Sequence, residues 1–187
     1  GIGRRQRQMC IRDRIIGDEE PYLGNVGYFP TRYPRATYAA MIEYIDIQVG
    51  EIVQQLKDNG IYENTIIMLT SDNGPTYAGG VDFKYFNSTG VFQNDPKRMK
   101  GYTYEGGVRV PFIVSWPNKI KSKRVIDDIS ISYDIFPTIT ELSGVNDSNT
   151  YPTDGISLYN IFTDKNSSLE RDYIYWEFPS YGGQLAA

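Results

Sequence analysis

The chain has 187 residues, no histidine and one cysteine, Cys10. Without histidine it holds neither a catalytic zinc site of the usual His-bearing kind nor a Ser-His-Asp triad of its own. A single cysteine excludes an intrachain disulfide and leaves the redox compartment open. No apolar run approaches the roughly 18 residues of a membrane span. A basic excess is also missing: the net charge is −4, so nothing points to nucleic acid. What is present is ordinary for a globular domain with a real core, 40% hydrophobic and 22% charged. Tyrosine is abundant at 16, as is common in glycan-facing proteins.

The chain is organised around Thr65–Pro75, TIIMLTSDNGP. Thr65 to Thr70 reads as a buried strand, of the kind found at the centre of a mostly parallel sheet. It runs into Ser71, Asp72, Asn73 and Gly74. In open α/β sheets ligands bind beyond the carboxyl ends of strands. Asp72 and Asn73 offer hard oxygen ligands there, suited to Ca²⁺ or Mg²⁺. Asp-Asn-Gly is also plain turn chemistry. Asp58-Asn59-Gly60 repeats the tripeptide at the end of a helix, where Gly60 reads as the residue that stops it. Context, not the tripeptide, has to separate the two copies.

Upstream, Gly1–Arg14 carries five arginines and one aspartate and has no apolar periodicity. RQRQMCIRDR resembles translated sequencing-adapter sequence, which makes 1–14 a non-native artefact; the alternative is a basic, disordered arm. Ile15–Thr37 reads as a loop packed on a surface. Tyr38–Asn59 is the clearest helix, with Tyr38, Met41, Ile42, Ile45, Val49, Ile52, Val53 and Leu56 on one face, and is expected to pack on a sheet. Helix, short loop and buried strand form an α/β unit. Thr76–Met99 is a long irregular insertion, and loops of that length are usually functional or mobile. Val110–Ser115 reads as a second strand, and Tyr173–Phe178 as a third. Tyr133–Leu142 reads as a helix capped by Asp134 or Ser132, and Leu158–Phe162 as a helical turn. Sequons stand at Asn87, Asn146 and Asn166 and carry little weight in loops rich in Asn and Ser.

KGYTYEGGVRVP, Lys100–Pro111, is the second informative stretch. Its glycine pair allows close backbone approach or positive φ. Lys100 stands at the mouth of the second strand, on the same edge as Asp72 if the strands are parallel. It reads either as a point charge for an anionic substrate oxygen or as a solvated surface lysine. Glu105 and Arg109 are four apart, but the glycines argue against a helix between them; they read as a structural pair.

ENTIIMLTSDNGP followed by KGYTYEGGVRVPFIVSWPNKI resembles the sulfatase family, the arylsulfatase-type members of the alkaline-phosphatase-like superfamily. YAAMIEYIDIQVGEIVQQL, ISISYDIFPTITELSG, DGISL and YIYWEF agree, so the resemblance covers nearly everything from Tyr38 onward. It implies an α/β fold, a mostly parallel mixed sheet flanked by helices, of which 15–187 is a C-terminal part. It implies hydrolysis of sulfate esters on a sulfated small molecule or glycan, with a formylglycine nucleophile made from a C/S-x-P/A-x-R motif. It also implies a divalent metal, usually Ca²⁺, with Asp72 and Asn73 matching the family's later Asp-Asn ligand pair. Lys100, four residues before Tyr104, matches the lysine that contacts the substrate sulfate. Many bacterial relatives are exported, which implies a periplasmic or extracellular parent.

The departures are as informative. The family's nucleophile motif, its first two metal aspartates and its catalytic histidines are absent from these residues. Cys10-Ile11-Arg12-Asp13-Arg14 has Cys and Arg at the right spacing, but Arg12 stands where Pro or Ala is required. Pro179 stands where many relatives have His, which reads as a subfamily difference in substrate contacts. A phosphodiesterase or phosphatase relative, and a non-catalytic carbohydrate-binding homologue, are the alternatives. Sequencing the source gene across the Arg14/Ile15 junction tests the artefact reading. The expected outcome is native DNA that replaces 1–14 with a nucleophile-bearing half; Gly1–Arg14 as the true start would refute it.

Overall fold

The computed structural model describes residues 15, 17–18, 20–24, 28–121, 123–144, 152–164 and 167–187. The 1–14 stretch with its Cys10 motif, and the sequons at Asn146 and Asn166, lie outside the described residues. No helix among the described residues is long and apolar enough to cross a membrane.

Helix α1 runs Pro34–Asp58, four residues earlier at its start than the apolar rhythm indicates. The reason is a cap supplied from elsewhere in the chain. Tyr33 makes no side-chain cap. Instead the buried carboxylate of Asp18 accepts the Arg35 N–H at 2.9 Å and the Ala36 N–H at 3.0 Å. These are donors of the first turn that the helix itself leaves unpaired. Arg35 then reaches across to Asp82, donating from Nε at 3.0 Å and Nη2 at 2.7 Å, and lies over the Tyr85 ring. The Tyr85 backbone N–H, and after it Arg35, hold the Asp82 carboxyl below its ordinary pKa. The 15–24 loop, α1 and the long 76–99 segment are thereby tied together. The helix ends at Gly60, whose φ is +69°, as the sequence indicates.

Strands β1 (Ile67–Thr70) and β2 (Phe112–Ser115) pair antiparallel, with Ile67 opposite Ser115 and Thr70 opposite Phe112. The α/β class stands, but the parallel relation expected of these two strands does not. The physical reason is the connection: residues 71–111 leave the end of β1 and come back to the edge they left, which allows only an antiparallel return. The expectation of a strand buried on both faces is also corrected. Ile66, Met68, Phe112 and Val114 pack on Leu158, Ile161 and Phe162 of helix α4 (Tyr159–Thr163, counting its N-cap Leu158). Leu69 and Ile113, on the other face, are 39% and 58% exposed. Helix α1 likewise buries no residue fully, and Met41, Ile45 and Ile52 stand open. Its apolar face is not laid on the sheet.

Between β1 and β2 lies a one-turn helix, α2 (Glu105–Val108). Helix α3 (Ile135–Leu142) follows a 3-10 turn over Ser132–Asp134. Asp134, fully buried, organises this region. Its carboxylate accepts the N–H groups of Ile131 and Ile156, each at 2.9 Å, and pairs with Arg171. Thr138 extends the lattice, donating to the Asp134 carbonyl and accepting the Leu158 N–H. Arg124, from the basic turn, donates to the carbonyls of Ile161 and Phe162 in the last turn of α4. The third strand is shorter than its apolar run: β3 (Trp176–Phe178) pairs antiparallel with β4 (Gln184–Ala186) as a separate hairpin.

Asp134→Ala removes the acceptor of two backbone donors and leaves Arg171 charged and buried. The expected loss is about 3–5 kcal/mol, read from the urea midpoint of tryptophan fluorescence.

Candidate active-site cleft

The antiparallel return decides where the site residues go. Because Thr70 faces Phe112, the exit of β1 and the approach to β2 share one edge. Ser71–Gly74 and Lys100–Val110 therefore meet. The sequence reading puts Lys100 on the edge of Asp72 on condition that the strands run parallel; the structure corrects that condition, since a parallel pair would have put them at opposite ends and the antiparallel return brings them together.

Three glycines bring the two loops into backbone contact. The Gly74 N–H donates to the Gly107 carbonyl at 2.8 Å. A Cβ on Gly74 would lie 2.0 Å from the Gly106 oxygen. One on Gly107 would lie 2.0 Å from the Tyr102 oxygen and 2.5 Å from that of Met99. None of the three has positive φ. Their role is close approach, one of the two that the sequence allows. The same glycines permit a helical turn after all, correcting the expectation of none between Glu105 and Arg109. The Glu105–Arg109 pair does form, at 3.1 Å on the surface. The Lys100 N–H completes the junction by donating to the Pro75 carbonyl at 3.1 Å.

The three predicted residues, Asp72, Asn73 and Lys100, line one cleft of about 540 Å³. Asp72 Oδ1 accepts the Asn73 N–H at 3.0 Å. Asn73 Nδ2 donates to the Gly74 carbonyl at 2.9 Å, which fixes the amide and frees its oxygen. Ser71 Oγ closes the turn on the Asn73 carbonyl at 3.0 Å. Among the described residues, Asp72 Oδ2 and Asn73 Oδ1 accept no hydrogen bond, and the half-buried Lys100 ammonium makes no hydrogen bond or ion pair. Two unpartnered hard oxygens side by side fit part of a Ca²⁺ or Mg²⁺ shell. They are not a whole one: no group of three or more His, Cys, Asp or Glu suited to a metal occurs among the described residues. A larger depression of about 1130 Å³, lined by Trp116, Lys121 and Arg124 among others, holds none of the three.

The sequence profile of the Sulfatase family matches residues 7–145. The chain belongs to the sulfatase family. A sulfatase from Formosa agariphila is 31% identical over 163 residues, which are 80% of this chain and 27% of the relative. The crystal structure of the PsFucS1 sulfatase from Pseudoalteromonas sp. superposes with a TM-score of 0.57 at 34% identity, covering 87% of this chain and 30% of that one. BT4656, solved with its substrate D-glucosamine-2-N,6-O-disulfate, superposes with a TM-score of 0.59 at 25% identity, covering 79% and 27%. The chain thus spans about a quarter to a third of the length of the relatives it matches. The fold of these neighbours is the alkaline-phosphatase-like α/β fold.

Several cleft residues of this sulfatase chain were not singled out by the sequence reading. Tyr102, Trp176, Glu177, Phe178 and Tyr181 line the cleft beside Lys100. Tyr77 lies next to two of them, outside the cleft lining: burial, and then the Tyr181 and Tyr102 phenols, push its pKa up. The available signal was the departure at Pro179 followed by YGG, which marks where the β3–β4 turn reaches the site.

Gly107→Ala drives a Cβ into two carbonyls and is expected to cost about 3 kcal/mol or more. Gly60→Ala, with φ of +69° and open space around it, is expected to cost about 1–2 kcal/mol. Urea unfolding of the two variants side by side checks the order.

Proposed function

We propose that the protein to which this chain belongs hydrolyses sulfate esters and that this cleft is the part of its active site that holds the sulfate. The observation that carries the reading is the convergence of one free ammonium and two free oxygens on one cleft in a chain of the sulfatase family. The Lys100 ammonium meets a sulfate oxygen as a compact, mobile point charge. A divalent cation, Ca²⁺ or Mg²⁺, held in part by Asp72 and Asn73, would supply further positive charge where the ester becomes more anionic. The Asp72-Asn73-Gly74 turn, fastened through Gly107, keeps both oxygens in place without help from substrate. Further ligands, and a formylglycine nucleophile, are what the family resemblance adds; neither comes from the described residues.

The substrate reading is a sulfated small molecule or glycan. A relative solved with a sulfated glucosamine supports the glycan side.

The test is turnover of 4-nitrophenyl sulfate by the product of the complete gene. Lys100→Ala is expected to lower kcat/KM by about 10²–10³-fold, the range for removing one preorganised charge-stabilising group. Asp72→Ala should abolish the dependence on added Ca²⁺. The 187-residue chain alone, which carries no C/S-x-P/A-x-R motif, should turn over nothing. Hydrolysis of the phosphate analogue but not the sulfate would move the reading to a phosphatase or phosphodiesterase relative.

A further inference from the structure

Beside Lys100 the cleft wall is aromatic. Tyr181 is stacked on Phe178, with ring centroids 6.0 Å apart and planes 18° from parallel. The Tyr102 ring lies 5.5 Å away, tilted by 54°. Gly101, next to Lys100, lies so close beneath Tyr181 that a Cβ there would sit 2.9 Å from the ring. Even so, Tyr181 remains 56% exposed. A large aromatic side chain this open is commonly mobile; this one is held. Its own φ is +54°, an uncommon backbone state for a residue with a Cβ. The turn that carries it is fastened by Gln184, which accepts the Thr103 N–H at 3.0 Å and donates to the Gly101 carbonyl at 2.9 Å. The segment that presents Lys100 and the hairpin that presents Tyr181 are therefore tied to each other directly.

We propose that Tyr181, backed by Phe178 and Tyr102, is a stacking platform for the pyranose ring of a sulfated sugar whose sulfate is directed at Lys100. The proposal rests on the sulfate reading of the cleft and names the group attached to that sulfate. An aromatic face takes the C–H face of a sugar ring by burial and dispersion. A flat aryl or steroid sulfate could stack as well, but Glu177 and Thr103 also line the cleft. The exposed Glu177 carboxylate accepts sugar hydroxyls, whereas an apolar ring against it would strip its water without replacement. Tyr181 is a binding residue here, with no part in proton transfer.

The experiment titrates the product of the complete gene, with the Cys or Ser of its C/S-x-P/A-x-R motif replaced by Ala to prevent turnover, by calorimetry with Ca²⁺ present, against inorganic sulfate, D-glucosamine 6-sulfate and D-glucosamine. Tyr181→Phe and Tyr181→Leu are compared, with far-UV circular dichroism to establish that each is folded. The sulfated sugar is expected to bind about tenfold tighter than sulfate. Tyr181→Phe should keep that advantage, and Tyr181→Leu, which keeps bulk without the ring, should lose it while leaving inorganic sulfate unchanged. An advantage intact in folded Tyr181→Leu overturns the platform, and so does an equal loss for sulfate and sugar. If the protein with Tyr181 intact binds no sulfate, the Lys100 reading fails separately. The platform is then judged on D-glucosamine alone: binding lost in Tyr181→Leu supports it, and no binding with Tyr181 intact overturns it.

Discussion

The site depends on one backbone contact, the Gly74 N–H on the Gly107 carbonyl. It joins the turn after β1 to the turn before β2 at a separation that leaves no space for side chains. Every chemical feature of the cleft hangs from it. Asp72 and Asn73 stand two residues and one residue before Gly74, and the Lys100 N–H is hydrogen-bonded to Pro75, the residue after Gly74. The two Asp-Asn-Gly copies make the point by contrast. Gly60 is a glycine for its dihedral, with nothing near it. Gly74 is a glycine for lack of space, at an ordinary dihedral. The same three letters serve a helix stop in one place and a site junction in the other.

The carboxylates divide along the same line. Asp18 and Asp134 are buried, and both oxygens of each are engaged by backbone N–H groups or by Arg171. Their negative charge is matched by several donors, which is how an ionised group tolerates burial. Asp82 is shared between a backbone N–H and Arg35. Asp72 differs: it is exposed, one oxygen holds its own turn, and the other has no partner among the described residues. Among the described residues the two buried structural carboxylates, Asp18 and Asp134, are saturated, whereas Asp72 in the cleft keeps one oxygen open.

The long insertion and the C-terminal hairpin complete the picture at the two sides of the site. The first is anchored through Asp82 and Arg35 to the start of α1, so its irregular course is held at a fixed point. The second is anchored through Gln184 to the Lys100 loop and brings in the aromatic wall. The open faces of α1 and of the β1–β2 pair belong to a chain that spans about a quarter to a third of its relatives' length. Their exposed Met41, Ile45, Ile52, Leu69 and Ile113 are apolar surface of the kind that packs against further structure in a larger domain.

Local chemistry was legible without a structure wherever neighbours in sequence decide it. The α1 rhythm, the stop at Gly60, a strand ending at Thr70 (read over Thr65–Thr70, formed over Ile67–Thr70) and a helical turn near Leu158–Phe162 (formed over Tyr159–Thr163) follow from periodicity and turn residues. So do Asp72, Asn73 and Lys100 as the chemically notable side chains, by motif and family resemblance. What the tertiary structure alone decided is direction and partnership. No local pattern states that β2 returns antiparallel, because strand pairing is set by the path of 71–111 through space. No pattern near Pro34 announces Asp18 as its cap, since the acceptor lies 17 residues away. Tyr181 reads as one tyrosine among 16, and becomes part of the site through its contacts with Gly101 and Tyr102 and through Gln184, which binds a loop more than 80 residues earlier. Side-chain chemistry is written residue by residue; which of those residues face one cleft is set by long-range contacts that sequence spacing does not encode.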